Sequence, residues 1–358
     1  MLALVKRELF LIIAGLTAVL ALPLEHVILE SGQTASLVAG IGLVGIIILA
    51  SLRVAHHAEV LAEKVGEPYG TMILTLSAVL VEVVILGIMM GHDPSPTLAR
   101  DTIYSAVMLD INGILGIAAI LGGLRHGAQP YNGQSSNTYI VMIMTGMGVS
   151  MLVPEFIGEA HWHVYSVFSL CIMVFLYAMF LRLQTTKHSY FFSYTYAETG
   201  VEHHVHGGKT WHSAAILVAG LVIIGLLAEV MSQALEVGLE GTAVPPVFSA
   251  LVVATISASP EILTALRSAM ANRMQPVVNI ALGASLSTVV LTVPAMELLA
   301  LIHNQPIQMA MTPSQTVMTF LTLIVAGINL HDGETNAIEG TTHFVLFCAF
   351  LMLSFMGL

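Results

Sequence analysis

Two glutamates stand where a carboxylate is costly. Glu82 lies 13 residues into the apolar run 69–91, and no other charged side chain occurs between Glu67 and His92. Glu261 lies in the run 244–266, directly after Pro260. An ionised carboxylate at membrane depth is unstable unless it is paired, protonated or bound to a cation. Oxygen-bearing side chains crowd the same stretches. Thr71, Thr75 and Ser77 precede Glu82; Thr255, Ser257 and Ser259 precede Glu261. The following runs carry Thr102, Ser105, Asp110 and Asn112, and then Asn279, Ser285, Ser287 and Thr288. Any one hydroxyl among small residues such as Gly283 and Ala284 is equally well a packing residue. Together they form a set of hard oxygen donors without soft ones, which suits Ca²⁺, a taker of about 6–8 oxygens, and also Na⁺. Pro260 removes a backbone donor and is expected to kink or break its helix, freeing carbonyl oxygens beside Glu261.

Other acids and histidines are less specific. Glu229 and Glu297 lie deep in apolar runs, with Glu236 one heptad after Glu229; each reads as a relay, a gate or a hydrogen-bonded structural acid. His203, His204 and His206 with Glu198 and Glu202 could bind a transition metal or sense pH, but their spacing is that of a solvated linker. Glu59, Glu63 and this His-rich segment are assigned to regulation. No P-loop, HExxH, nucleophile elbow or CxxC pair is present, so no enzyme activity or ATP-driven pumping is expected.

The elements that must position these residues follow from composition. Of 358 residues 56% are hydrophobic and 9% charged, against about 25% charged in a soluble domain. The mean hydropathy is +0.88. The net charge of −11 argues against nucleic acid, which needs clustered Lys and Arg. Cys171 and Cys348 lie in apolar runs and read as small core residues rather than a disulfide. Eleven apolar runs appear, near 8–27, 33–52, 69–91, 102–124, 138–154, 164–182, 212–235, 244–266, 277–302, 314–330 and 340–357. Each is long enough to cross a bilayer core of roughly 30 Å as a helix. The first 28 residues read as a spanning helix rather than a cleaved signal. The polar run Arg53 to Gly66 reads as a helical extension beyond the membrane. The fold class is therefore an all-α polytopic membrane protein with about 11 transmembrane helices.

With the N-terminus placed in the cytoplasm, Lys6, Arg7, Arg53, Lys64, Arg125, Arg182, Lys187, Lys209, Arg267 and Arg273 all fall inside, and Arg100 alone falls outside. The C-terminus then lies outside, and the inner membrane of a prokaryote is the expected location. Eleven runs divide into an extra N-terminal helix over 1–30, a five-helix repeat over 31–183, a cytoplasmic linker over 184–211 and a second five-helix repeat over 212–358. A tandem five-helix unit must insert its second copy upside down, as in many secondary transporters. Each acid, Glu82 and Glu261, sits in the second helix of its unit.

Four stretches resemble the cation/calcium exchanger superfamily, in particular its calcium/proton antiporters of the ChaA type. Leu61-Ala-Glu-Lys-Val-Gly-Glu-Pro-Tyr-Gly70 leading to Glu82 is similar to the first repeat signature (region 66–113). Ala78-Val-Leu-Val81 stands where the family commonly has Gly-Asn-Ala-Thr. Ser257-Ala-Ser-Pro-Glu-Ile-Leu263 with Ala281-Leu-Gly-Ala-Ser285 is similar to the second signature (region 255–290). Glu229 and Glu236 match a pair of acids in the seventh helix. Asp332-Gly-Glu-Thr-Asn-Ala-Ile-Glu-Gly340 resembles the stretch before the last helix, and adds Asp332, Glu334 and Glu339 to the regulatory candidates.

The resemblance implies a cation/proton antiporter with Glu82 and Glu261 as the carriers of cation and proton. Ser77, Thr102, Ser105, Asp110, Ser257, Ser259, Asn279, Ser285, Glu229 and Glu297 are the candidates for accessory ligands or gates. Two buried carboxylates cannot both stay ionised and empty, because burial and mutual repulsion oppose it. One Ca²⁺ against two protons balances their charge. Ca²⁺ is the first expectation and Na⁺ or K⁺ the second; a cation channel or a metal or pH sensor is the remote alternative. No cofactor is expected beyond the transported cation and H⁺. The expected partners are membrane lipid, inorganic cations and protons, with homo-oligomerisation left open.

Overall fold

In lipid, backbone polar groups must be satisfied within the chain, so apolar runs of this length are driven into helices. The computed structural model describes residues 8–65, 69–92, 95–184, 210–242, 244–245, 247–303, 305 and 307–358. The helices among them are α1 (Leu9–Glu30), α2 (Gln33–Val65), α3 (Tyr69–His92), α4 (Leu98–Met108), α5 (Leu115–His126), α6 (Gly133–Met147), α7 (Trp162–Gln184), α8 (Thr210–Leu239), α9 (Val247–Met270), α10 (Met274–Ser287), α11 (Val293–His303), α12 (Pro313–Asn329) and α13 (Ala337–Phe355). A π turn, Leu109–Ile114, fuses α4 to α5, and another, Thr288–Thr292, fuses α10 to α11. Counting each fused pair once gives eleven rods, matching the eleven runs. Among the described residues, nine rods are long and apolar enough to span a membrane, and α3 adds the shorter apolar stretch Thr75–Gly91. α2 continues as a helix to Val65, well past the apolar run that ends near residue 52.

Two sequence expectations are corrected. α9 runs through Pro260 without a break. Proline leaves the carbonyl of residue i−4 without its helical donor, and here Ser259 Oγ donates to that carbonyl, Ile256 O, at 2.8 Å. Cys171 and Cys348 are free, as expected, yet exposed on α7 and α13 rather than packed in a core.

The chain divides into two compact units that cut across the two repeats: Met1–Ser95 with His204–Pro260, and Pro96–His203 with Glu261–Leu358. In the first, α2 and α8 lie antiparallel along their length. Gln33 Nε2 donates to Glu240 O at one end, and Gly220 faces Val54 toward the other. A Cβ at Gly238 would sit 2.6 Å from Leu37 Cα, so glycine sets that approach. Beside this pair, Arg53 of α2 forks onto Glu8 at the head of α1, Nε to Oε2 at 3.2 Å and Nη2 to Oε1 at 2.8 Å, with His57 Nε2 3.2 Å from Oε2.

In the second unit, β1 (Gln129–Pro130) pairs antiparallel with β2 (Glu334–Thr335). This brings the α5–α6 and α12–α13 connections to one end. Gln129 Nε2 donates to Ala269 O and to Asn272 Oδ1, both at 3.0 Å, so the α9–α10 connection joins them. Arg125, Arg267 and Arg273 flank these three connections. The opposite end gathers the head of α4 and the approach to α12, where Gln308 N donates to Pro96 O and Met311 N to Met151 O. The rods of this unit therefore alternate in direction.

Candidate cation-binding site

In the first unit, Glu82 sits mid-way along α3 and is 2% exposed. Gly225 of α8 closes onto α3 at Val84 and Ile88, just past Glu82, where a Cβ would stand 3.2 Å and 3.1 Å from their side chains. Ser77, one turn before Glu82, donates to Ile73 O at 2.7 Å. On α9, Ser257 donates to Ala254 O at 3.0 Å, and Ser259 is committed to Ile256 O. All three hydroxyl hydrogens are thus spent on their own helices, which leaves the oxygens as acceptors. Glu229 is half-buried on α8 and Glu236 is exposed. Glu59 is exposed, 3.8 Å from His56.

The second unit holds the densest buried polar set. Asp110 and Asn112 both lie on the π turn Leu109–Ile114, 2% and 0% exposed. A π turn widens the helix locally and is frequent at functional sites. Ser285 of α10 donates to Asp110 Oδ2 at 3.1 Å, joining an acid of the first repeat to the Gly-Ala-Ser stretch of the second. Thr102 and Ser105 lie on α4, before Asp110; both are fully buried, and their hydroxyl oxygens have no hydrogen-bond partner among the described residues. Asn279 Oδ1 accepts from Gln275 Nε2 at 2.8 Å, and Gln275 also donates to Ser135 Oγ at 3.0 Å. Glu261 is half-buried on α9. Glu297 is buried, 2% exposed, and borders a cavity lined by Trp162, Tyr165, Ser166 and Gln308.

The sequence motif before the last helix is a structural turn. Gly333 takes φ +82°, Asp332 Oδ1 accepts from Glu334 N at 3.3 Å, and Asn336 Oδ1 caps α13 through Ile338 N and Glu339 N. Asn336 Nδ2 in turn donates to Glu339 Oε1 at 2.8 Å. Asp332 and Glu334 are exposed. The side chains of Glu63 and Thr71, and all of His203, His204 and His206, lie outside the described residues.

Sequence reasoning missed His343, a lone histidine in the last apolar run, whose Nδ1 lies 3.1 Å from Asn112 Oδ1. It also missed the buried Arg100–Asp101 pair, with Arg100 Nε to Asp101 Oδ1 at 2.9 Å, to which Gln315 Nε2 adds a donor at 2.9 Å. Among the described residues no three His, Cys, Asp or Glu side chains converge as a tight metal centre.

The sequence profile described as sodium/calcium exchanger protein matches residues 35–186 and 212–356. The sodium-potassium/proton antiporter ChaA of Escherichia coli (strain K12) is 32% identical over 335 residues, covering 91% of either chain. The Ca²⁺/H⁺ antiporter of Aphanothece halophytica is 23% identical over 277 residues, covering 71% of this chain and 74% of that one. Among solved structures, the Ca²⁺/H⁺ antiporter YfkE superposes with a TM-score of 0.79 at 17% identity, over 98% of this chain and 99% of that one.

Proposed function

The chain belongs to the sodium/calcium exchanger protein family, and from that premise we propose how it works: it is a multi-pass membrane cation/proton antiporter, with Glu82 and Glu261 as the groups that carry cation and proton. The observation that carries this reading is Glu82, an acid 2% exposed near the middle of the apolar stretch Thr75–Gly91. A carboxylate so placed is tolerated when neutralised, by a cation or by a proton. Neutral loaded states reorient and the empty charged state does not. That exclusion couples the flow of cation to the opposite flow of protons.

We assign Ca²⁺ first. The candidate groups of each unit offer oxygen: Glu82 in the first, and Glu261, Asp110, Ser285, Thr102 and Ser105 in the second. One Ca²⁺ replaces two protons on two carboxyl groups without change of net charge. Na⁺ or K⁺ is the second reading, favoured by the 32% identity to a sodium-potassium/proton antiporter. No catalysed reaction and no resident cofactor enter this cycle.

Location in the plasma membrane of a prokaryote, with a cytoplasmic N-terminus and an outward C-terminus, is supported by the charge distribution. Arg125, Arg267 and Arg273 stand at one end of the second unit and Arg100 at the other, as the positive-inside rule asks. Lipid covers the apolar side chains exposed on α1, α7 and α13, such as Val19, Phe175 and Val345.

Inside-out vesicles energised to an acid interior and followed with a pH dye test the reading directly. Ca²⁺, Na⁺ and K⁺ are added separately. Dye recovery with one of them, lost in E82Q and in E261Q at equal membrane levels, supports it and names the ion. Recovery unchanged in either variant removes that residue from the site; no recovery with any cation removes the antiporter.

A further inference from the structure

The π turn that carries Asp110 is tied on its other side to two neighbouring helices, and the placement of the Asn112 amide gives that tie its direction. Thr322 of α12 lies with Oγ1 3.5 Å from Met108 Sδ and 2.7 Å from Asn112 Nδ2. The Asn112 amide nitrogen faces Thr322 Oγ1 and also lies 3.6 Å from Met108 Sδ. The Thr322 oxygen accepts from it, and the Thr322 hydroxyl hydrogen is left for the sulfur, which accepts and cannot donate. Asn112 Nδ2 being the donor, Asn112 Oδ1 is what faces His343 Nδ1 at 3.1 Å. His343 is therefore protonated on Nδ1 and donates.

We propose that His343 is a positioning residue for cation/proton exchange, holding the π turn that presents Asp110 through the one-way chain His343 to Asn112 to Thr322 to Met108. The inference rests on the antiporter reading above. All four side chains are buried: His343 is 2% exposed, and Met108, Asn112 and Thr322 are 0% exposed. A π turn is not favoured by local backbone energy and is held by tertiary contacts. Here α12 and α13 supply those contacts, two residues from Asp110, while Ser285 of α10 supplies the contact to Asp110 itself. α13 can come this close because Gly116 lies opposite His343: a Cβ there would sit 3.1 Å from His343 Cβ and 3.0 Å from Phe344 N.

The same geometry makes His343 a holder rather than a carrier of protons. Its Nε2 is buried without a hydrogen-bond partner among the described residues. A proton there would bury a charge and an N–H with no acceptor among the described residues. The charged group on the adjoining π turn is Asp110, whose Oδ2 is engaged by Ser285; on α12 the residue facing this cluster is the neutral Thr322. His343 thus stays neutral through the exchange cycle.

Four variants test this in the vesicle assay, each compared at equal membrane level for exchange rate, half-saturating cation concentration and pH profile. H343N places an amide N–H near the position of Nδ1 and keeps the donor. H343Q places its amide near Nε2, and H343L has no donor. T322V removes the acceptor at the far end and stands in for any His343 variant that fails to reach the membrane. The expected result is a loss of about tenfold or more in H343L, H343Q and T322V, with H343N near the wild-type rate and its pH profile unshifted. Wild-type rate and cation dependence in H343L or T322V would overturn the proposal, as would H343N as impaired as H343L. A flattened pH profile in H343N would overturn it too, by making His343 a proton carrier. Absence of exchange in the unmodified protein overturns the antiporter reading and this inference together, whereas exchange in the unmodified protein with a normal H343L overturns this inference alone.

Discussion

Ser285 Oγ donates to Asp110 Oδ2 at 3.1 Å, a buried bond between residues 175 apart in sequence. Asp110 lies on the π turn of the first repeat and Ser285 one residue past the Gly283-Ala284 pair of the second. Hydrogen bonds to a charged group contribute about 1.5–3 kcal/mol. S285A is therefore expected to raise the half-saturating cation concentration about tenfold or more, and D110N to cost more, since it removes the charge as well. Concentration dependence of dye recovery in vesicles measures both. Equal cation affinity in S285A and wild type would mean that Asp110 is a structural acid.

The head of α1 is a stability switch with a defined sign. Burial tends to raise the Glu8 carboxyl, but hydrogen bonds and charge from Arg53 and His57 outweigh it, and the net shift is downward from 4.5. The groups facing it are Arg53 and His57 of α2, and His212 of α8 lies within reach of His57. A carboxyl held more acidic in the folded state stabilises the fold above its unfolded pKa and loses that contribution as pH falls through the folded one. E8Q is accordingly expected to lower the melting temperature of the detergent-solubilised protein at pH 7. The gap to wild type should shrink once pH falls below about 4.5. A gap that stays constant down to strongly acid pH would assign the loss to packing instead.

How much of this was legible follows from which forces act locally. The eleven rods were readable because lipid leaves apolar runs no alternative to the helix, and the extension of α2 to Val65 was readable from its polar tail. The buried acids Glu82 and Glu297 were readable because each stands as an isolated carboxylate inside a long apolar run. The π turns were not: Leu109–Ile114 and Thr288–Thr292 look like any helical stretch, since a one-residue shift in the hydrogen-bond ladder is imposed by neighbours. Of the kink or break expected at Pro260, the break does not occur, and a serine one residue earlier donates to the carbonyl that proline leaves open, Ile256 O. His343 was passed over because its partner, Asn112, lies 231 residues away in the chain.

Arg100, the one basic residue that the charge distribution assigns to the opposite side from the rest, is an internal strut. Its guanidinium bonds Asp101 Oδ1 at 2.9 Å through Nε and Ala310 O at 3.0 Å through Nη1, with both residues 7% exposed. Gln315 completes the cluster while its Oε1 accepts from Thr312 N at 3.1 Å in the capping box of α12. Removing one partner of a buried pair strands the other, at a cost of about 3–5 kcal/mol. R100A should therefore lower thermal stability more than R100L combined with D101L, which strands no charge. Melting curves of the two purified variants decide it; equal or reversed losses would show that Asp101 finds other partners.

The crossing of α5 and α13 is set by glycine, and this makes a sharp packing prediction. A Cβ at Gly340 would stand 2.6 Å from Ile120 N and 2.7 Å from Gly116 O, and one at Gly123 would stand 2.3 Å from Ala337 N. These neighbours are backbone atoms, so relief requires the helices to move apart, and overpacking of this kind costs about 1–3 kcal/mol or more. Separation would also pull His343 from Asn112, because both sit on the same pair of rods. G340A and G123A are therefore expected to lose stability and exchange together. G42A and G45A on α2, where a Cβ would meet nothing within 4 Å, should leave both unchanged. Melting temperature and exchange rate measured on the same four preparations test this, and a stable, active G340A would mean that the two helices sit farther apart than the glycine contact requires.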